Sequence, residues 1–225
     1  MKKKLQKLLA IVCVAVSVLG LIGCAKPFDA TAYVQAELDL LTKHDVAQYQ
    51  KTLGVSESEA EEIYQESISG VSSAIDEMIA SGMPEDLRAG YEEWFMDLLS
   101  KSKYTVLEAT KTDDGYTVQV EIEPIKAFDN ASAALEEQLT VYLEDLMPEA
   151  MTTGVPPTEE EINADVFQML LDIVTANLEN PTYAEKVVTE IHIEKNSDGQ
   201  YEVNEDDAES LGASLIDITG LEDLQ

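Results

Sequence analysis

The side chains that could do chemistry are few in kind, with one exception. The 225 residues include two cysteines, two histidines and 45 aspartates and glutamates, and the single arginine is Arg88. Beyond Cys13 and Cys24 no thiol exists, so the remaining chain has no disulfide, no thiolate zinc site and no cysteine nucleophile. No Gly-x-Ser-x-Gly elbow is present, and neither histidine stands in a nucleophile motif. His44 falls at the end of a helical stripe, where a cation suits the helix dipole. His192 falls between Glu190 and Glu194 in an alternating run. Alternate strand residues share a face, so these three could touch a metal, but exposed polar alternation accounts for them equally well. The best cation candidate is Glu194, Asn196, Asp198 and Glu205, with Gly199 at the sixth position, which is the spacing of a calcium loop. Two features oppose it. The first position is Glu where Asp is expected, and the residues before it read as a strand rather than a helix. Asn196–Gly199 also has the residue types of a plain hairpin turn.

Carboxylates cluster at Glu57, Glu59, Glu61 and Glu62, at Glu159–Glu161, and at Glu205, Asp206, Asp207 and Glu209. A pair could serve a glycosidase. With 45 acids, however, proximity by chance is expected, and several clusters fall in first helical turns, where negative charge is favourable anyway. The net charge of −31 excludes nucleic acid as a partner and excludes an electrostatic hold on an anionic bilayer. Tyr91, Trp94 and Phe95 have the spacing of core residues, and the methionines are scattered. No cofactor site is expected.

The elements that would position these residues follow from periodicity. Val34, Leu38 and Leu41, with Tyr33 and Leu40 beside them, predict a helix over about Asp29–His44. Gly54 ends a short second segment. Ser56 with Glu59 makes a capping box ahead of the stripe Tyr64, Ile68, Val71, Ile75 and Met78. Ser81-Gly82 stops it, and Pro84 opens a helix bearing Leu87, Tyr91, Trp94, Phe95 and Leu98. The period then switches to two. Tyr116, Val118, Val120 and Ile122 predict a strand, and Lys103–Lys111 is its hairpin partner through Asp113-Asp114-Gly115. A helix bearing Leu135, Leu139, Tyr142 and Leu146 precedes a loop over Pro148 and Thr152–Pro157. Thr158 and Glu161 cap the next helix, which Asn180-Pro181 breaks. Val187, Thr189, Ile191 and Ile193 predict a third strand, turned through Asn196–Gly199 into Gln200–Val203, and Leu211, Leu215 and Ile218 a last helix. The fold class is therefore α+β, with helices packed on one face of a small antiparallel sheet built from two hairpins. Parallel strand–helix alternation is absent, which argues against a doubly wound fold.

The amino terminus has a basic stretch, Met1–Lys7, an apolar run, Leu8–Ile22, and then Gly23-Cys24. The apolar run is short for a membrane span, which needs roughly 20 residues. Leu21-Ile22-Gly23-Cys24 resembles the bacterial lipobox. The resemblance implies a signal peptide over 1–23, a diacylglyceryl group on Cys24, and loss of Lys2, Lys3, Lys4 and Lys7, which makes the mature chain four charges more negative. Two acyl chains hold where one does not. A tether over 24–28 reaches at most roughly 15–18 Å, so the acidic domain over 29–225 would sit close to the membrane. The chain also resembles uncharacterised surface lipoproteins of Gram-positive bacteria. That likeness is carried by Leu21–Cys24, Ala32–Asp39, Ser56–Tyr64, Lys103–Val106 and Gly115–Val120. The hairpin resembles sheet segments of cystatin-like and NTF2-like α+β domains.

These readings lead to a membrane-anchored extracytoplasmic lipoprotein acting as a non-enzymatic module for a small-molecule, protein or envelope-polymer ligand. Two alternatives stand beside it: an envelope-polymer hydrolase using a carboxylate pair, and a structural module dependent on divalent cations.

Overall fold

The structure is a computed structural model that describes residues 28–153, 156–197, 199 and 201–221. It is α+β. Seven α-helices among the described residues surround one face of a curled antiparallel sheet. The first, α1 (Ala30–Lys43), starts where the Asp29 carboxylate accepts the Ala32 N–H, and ends where His44 turns left-handed at φ 52°. A short α2 (Val46–Leu53) is closed by Gly54 at φ 75°, a region glycine enters without steric cost. The Ser56–Glu59 capping box opens α3 (Glu57–Ala80) as expected. Pro84 does not open an α-helix. It precedes a single 3₁₀ turn, Glu85–Leu87, and α4 begins only at Arg88 and runs to Ser100.

Periodicity makes Lys103–Lys111 one strand, but the segment forms two, β1 (Lys103–Val106) and β2 (Thr110–Lys111). Ala109 explains the break, because its N–H leaves the ladder to donate to Thr31 Oγ1 on α1 at 2.8 Å. Both pieces pair with β3 (Gly115–Glu123), so the sheet has five strands where two hairpins imply four. In β3 the even residues Val118, Val120 and Ile122 are fully buried, while Gln119 faces solvent. Pro124 ends the strand, since it can donate nothing to a ladder.

Helix α5 (Ala131–Thr153) continues through Pro148, where the sequence suggests a loop. A proline beyond the first turn removes one hydrogen bond to the carbonyl four residues earlier, and the helix carries on past that loss. The Thr158–Glu161 capping box opens α6 (Glu159–Glu179). Then come β4 (Val187–Lys195), β5 (Tyr201–Val203) and α7 (Glu205–Ser214), which Asn204 caps. Strand order is β1-β3-β4-β5, with β3 and β4 antiparallel from Gly115↔Glu194 to Ile122↔Val187. Helices α1, α4 and α7 join the inner face of the sheet in a continuous apolar cluster that includes Tyr33, Leu40, Leu98, Phe95, Ile191 and Leu215. The outer face carries Thr117, Gln119, Glu121, Glu123, Glu190 and His192 and is open to solvent or half-buried.

Candidate functional site

The residues singled out in the sequence do not converge. Cys24 lies outside the described residues, and so does Asp198 of the calcium spacing. Glu194 is mid-ladder in β4, opposite Glu202 of β5, and Asn196 donates to the Glu202 carboxylate at 3.2 Å. Glu205 begins α7. A strand, not a helix, precedes the turn. Among the described residues, no three His, Cys, Asp or Glu side chains gather closely enough to hold a metal ion. His192 is exposed on the polar face, where its backbone N–H (2.8 Å) and Nδ1 (2.7 Å) both meet Asp207 Oδ2. His44 stacks on Tyr64 with ring centres 3.8 Å apart and meets Glu61 at 2.9 Å.

The structure brings together two other groups. One is interior. Glu37, on the buried side of α1, is 8% exposed. Tyr49 of α2 donates its hydroxyl to Glu37 Oε1 at 2.9 Å. The Tyr33 hydroxyl is buried near the same carboxyl, with no aligned hydrogen bond of its own among the described residues. Burial pushes the Glu37 carboxyl up to about 8, and the hydroxyls of Tyr49 and Tyr33 offset only part of that by favouring the anion. Beside it is a cleft lined by Val34, Leu38, Ile191, Val203, Leu211 and Leu215, with about 30 Å³ of room for water centres. That is space for one or two waters rather than a larger ligand.

The other group is at the surface, along the free edge of the sheet. An open groove of about 350 Å³ follows β1, lined by Lys43 from the end of α1, Lys103 and Tyr104 from β1, Glu121 and Glu123 from β3, and Lys186 just before β4. The wall on the α1 side is a hydrogen-bonded chain. Lys43 Nζ meets Asp39 Oδ1 at 2.5 Å, Tyr104 Oη donates to the same oxygen at 2.7 Å, and Thr42 Oγ1 lies 2.8 Å from Tyr104 Oη. Partial burial would raise the Asp39 carboxyl, but Lys43, Tyr104 and Gln35 together hold it below its ordinary value. On the far wall, Lys186 Nζ meets Glu121 Oε2 at 2.7 Å. Lys103 Nζ stands 3.6 Å from the ring centre of Tyr183, whose hydroxyl donates to the Lys101 carbonyl at 2.9 Å. The groove offers mixed charge at an exposed strand.

No family model and no curated protein matches the chain. The fold does have a solved counterpart. A crystal structure of a "putative lipoprotein (ycdA)" from Bacillus subtilis superposes with a TM-score of 0.55 at 17% identity, over 84% of this chain. This chain spans 57% of that protein's length. Among the described residues, no helix is long and apolar enough to cross a membrane.

Proposed function

We propose that this protein is a lipoprotein held at the extracytoplasmic face of the membrane by a diacylglyceryl group on Cys24, and that it acts there as a non-enzymatic binding module. The basic, apolar and Leu21-Ile22-Gly23-Cys24 segments support the anchor, as does the name of the Bacillus subtilis protein that shares the fold. The observation that carries the binding role is the convergence of Lys43, Lys103 and Lys186 in one groove. The chain has only 14 basic residues against 45 acidic ones, and these three come from distant parts of it. At physiological salt, charge is felt over about 8 Å, so a ligand in the groove meets those lysines rather than the protein's whole negative field.

Two experiments test this. Mass spectrometry of the amino-terminal peptide should find Cys24 as the first residue with a diacylglyceryl thioether, and an unmodified Cys24 would refute the anchor. The thermal midpoint should rise saturably with a ligand among amino acids, peptides, sugars, phosphate and divalent cations at constant ionic strength. The rise should vanish in the triple variant Lys43→Gln, Lys103→Gln, Lys186→Gln. A ligand whose effect survives that variant would move the site away from the groove.

A further inference from the structure

We infer that the groove along β1 binds a small zwitterion, a molecule carrying both a primary ammonium and a carboxylate, such as an α-amino acid or a dipeptide. The inference rests on the reading of this groove as the ligand port.

One ion pair that the sheet register invites does not form. Lys103 stands directly opposite Glu123, on the outer face of β1 and β3. Opposite charges so placed ordinarily pair across strands. Here no ion pair joins them within 4.0 Å, and no carboxylate lies that close to Lys103 among the described residues. Lys103 is instead seated over Tyr183, and Tyr183 is fixed by its bond to the Lys101 carbonyl. An exposed ion pair and an exposed cation–ring contact are both weak and of comparable strength. A rigid ring can therefore win the lysine and leave the glutamate without a direct ion pair, Lys186 acting on it only at longer range.

The other charges in the groove are already matched. Glu121 is engaged by Lys186, and Lys43 by Asp39. Lys103 and Glu123 remain, side by side on paired strands and both lining the groove of about 350 Å³. A ligand whose carboxylate meets Lys103 and whose ammonium meets Glu123 satisfies both. Tyr104 and Thr105 also line the groove.

The local charges select the same class. An anion in the groove meets Glu121 and Glu123 beside the lysines, and a cation meets the lysines beside the glutamates. A molecule carrying both charges gains where both are met together.

The test is calorimetric titration of the full-length lipoprotein in detergent micelles. The probes are each common α-amino acid and the dipeptide Ala-Ala, at constant ionic strength. The tightest binder is then compared with its N-acetyl form, which lacks the ammonium, and its amide, which lacks the carboxylate. The expected result is saturable binding of a free form, weakened at least tenfold by either cap and by Lys103→Gln or Glu123→Gln. Lys195→Gln, which alters a lysine 5.0 Å from the Tyr201 ring in the second hairpin, should leave it unchanged. Preference for amino acid over dipeptide, or the reverse, identifies the source. Equal binding of a capped form overturns the inference, as does binding that is indifferent to Lys103→Gln and Glu123→Gln. Absence of binding by every free amino acid and by Ala-Ala also overturns it. If only N-acetyl-Ala-Ala bound, and Lys103→Gln abolished that binding, the zwitterion would fall while the groove remained a ligand port.

Discussion

Replacing Glu37 by glutamine should make the protein less sensitive to alkali. In the fold, burial raises this carboxyl from 4.5 to about 8. The unfolded chain titrates it near its ordinary value. Between those two values the folded state holds a proton that the unfolded state has released, so stability falls as pH rises. The stabilisation is complete below about pH 4.5, drains away through the window up to pH 8, and is gone above it. Each pH unit across the window costs about 1.4 kcal/mol, which sets a ceiling of about 5 kcal/mol. The glutamine side chain has nearly the same shape, can still accept from the Tyr49 hydroxyl, and never ionises. The assay is urea unfolding followed by the fluorescence of the buried Trp94, for both proteins, at half-unit steps from pH 5 to 8.5 and fixed ionic strength. Repulsion among the other carboxylates also weakens the fold as pH rises, but it is common to both proteins and cancels in the difference. The stability of the Glu37→Gln variant relative to the parent should climb by several kcal/mol across the window. A difference flat within about 0.5 kcal/mol would mean that Glu37 is already ionised at pH 5, and the argument that burial outweighs its tyrosine partners would be wrong.

Tyr49→Phe removes the hydroxyl that donates to Glu37 and should cost about 1–3 kcal/mol at pH 5 by urea unfolding, while extending the alkaline loss to higher pH, because that bond favours the anion. Ser56→Ala and Thr158→Ala each delete the hydroxyl of a capping box. Each should cost about 1 kcal/mol, and the double variant should show the sum, since the caps serve separate helices. Gly115→Ala would set a Cβ 1.8 Å from the Ile193 carbonyl oxygen, so β3 must shift away from β4. We expect a loss above about 2 kcal/mol and faster exchange of the β3 amides.

Most of the fold can be read from the sequence because its elements announce themselves locally. Both capping boxes, the stripe behind Ser56 and the alternation in Tyr116–Ile122 need only neighbours in sequence, and all lie where periodicity puts them. The departures occur where a distant contact decides the outcome. Thr31 of α1 takes the Ala109 N–H and splits one expected strand into two, and nothing near Ala109 in sequence says so. The interior carboxyl has a signal that periodicity could use. Glu37 stands between Val34 and Leu38–Leu41 on the apolar stripe of α1, so an acid occupies a core position. The groove has none. Lys43, Lys103, Tyr183 and Lys186 meet only once β3 pairs with β4 and α1 lies across the inner face of the sheet. The excess of acid hides them further. With 45 carboxylates in the chain, every lysine after Lys7 has an acid nearby in sequence, and proximity carries no information. What distinguishes Lys103 is that the folded chain gives it an aromatic ring in place of the glutamate it faces, and only the three-dimensional arrangement could show that choice.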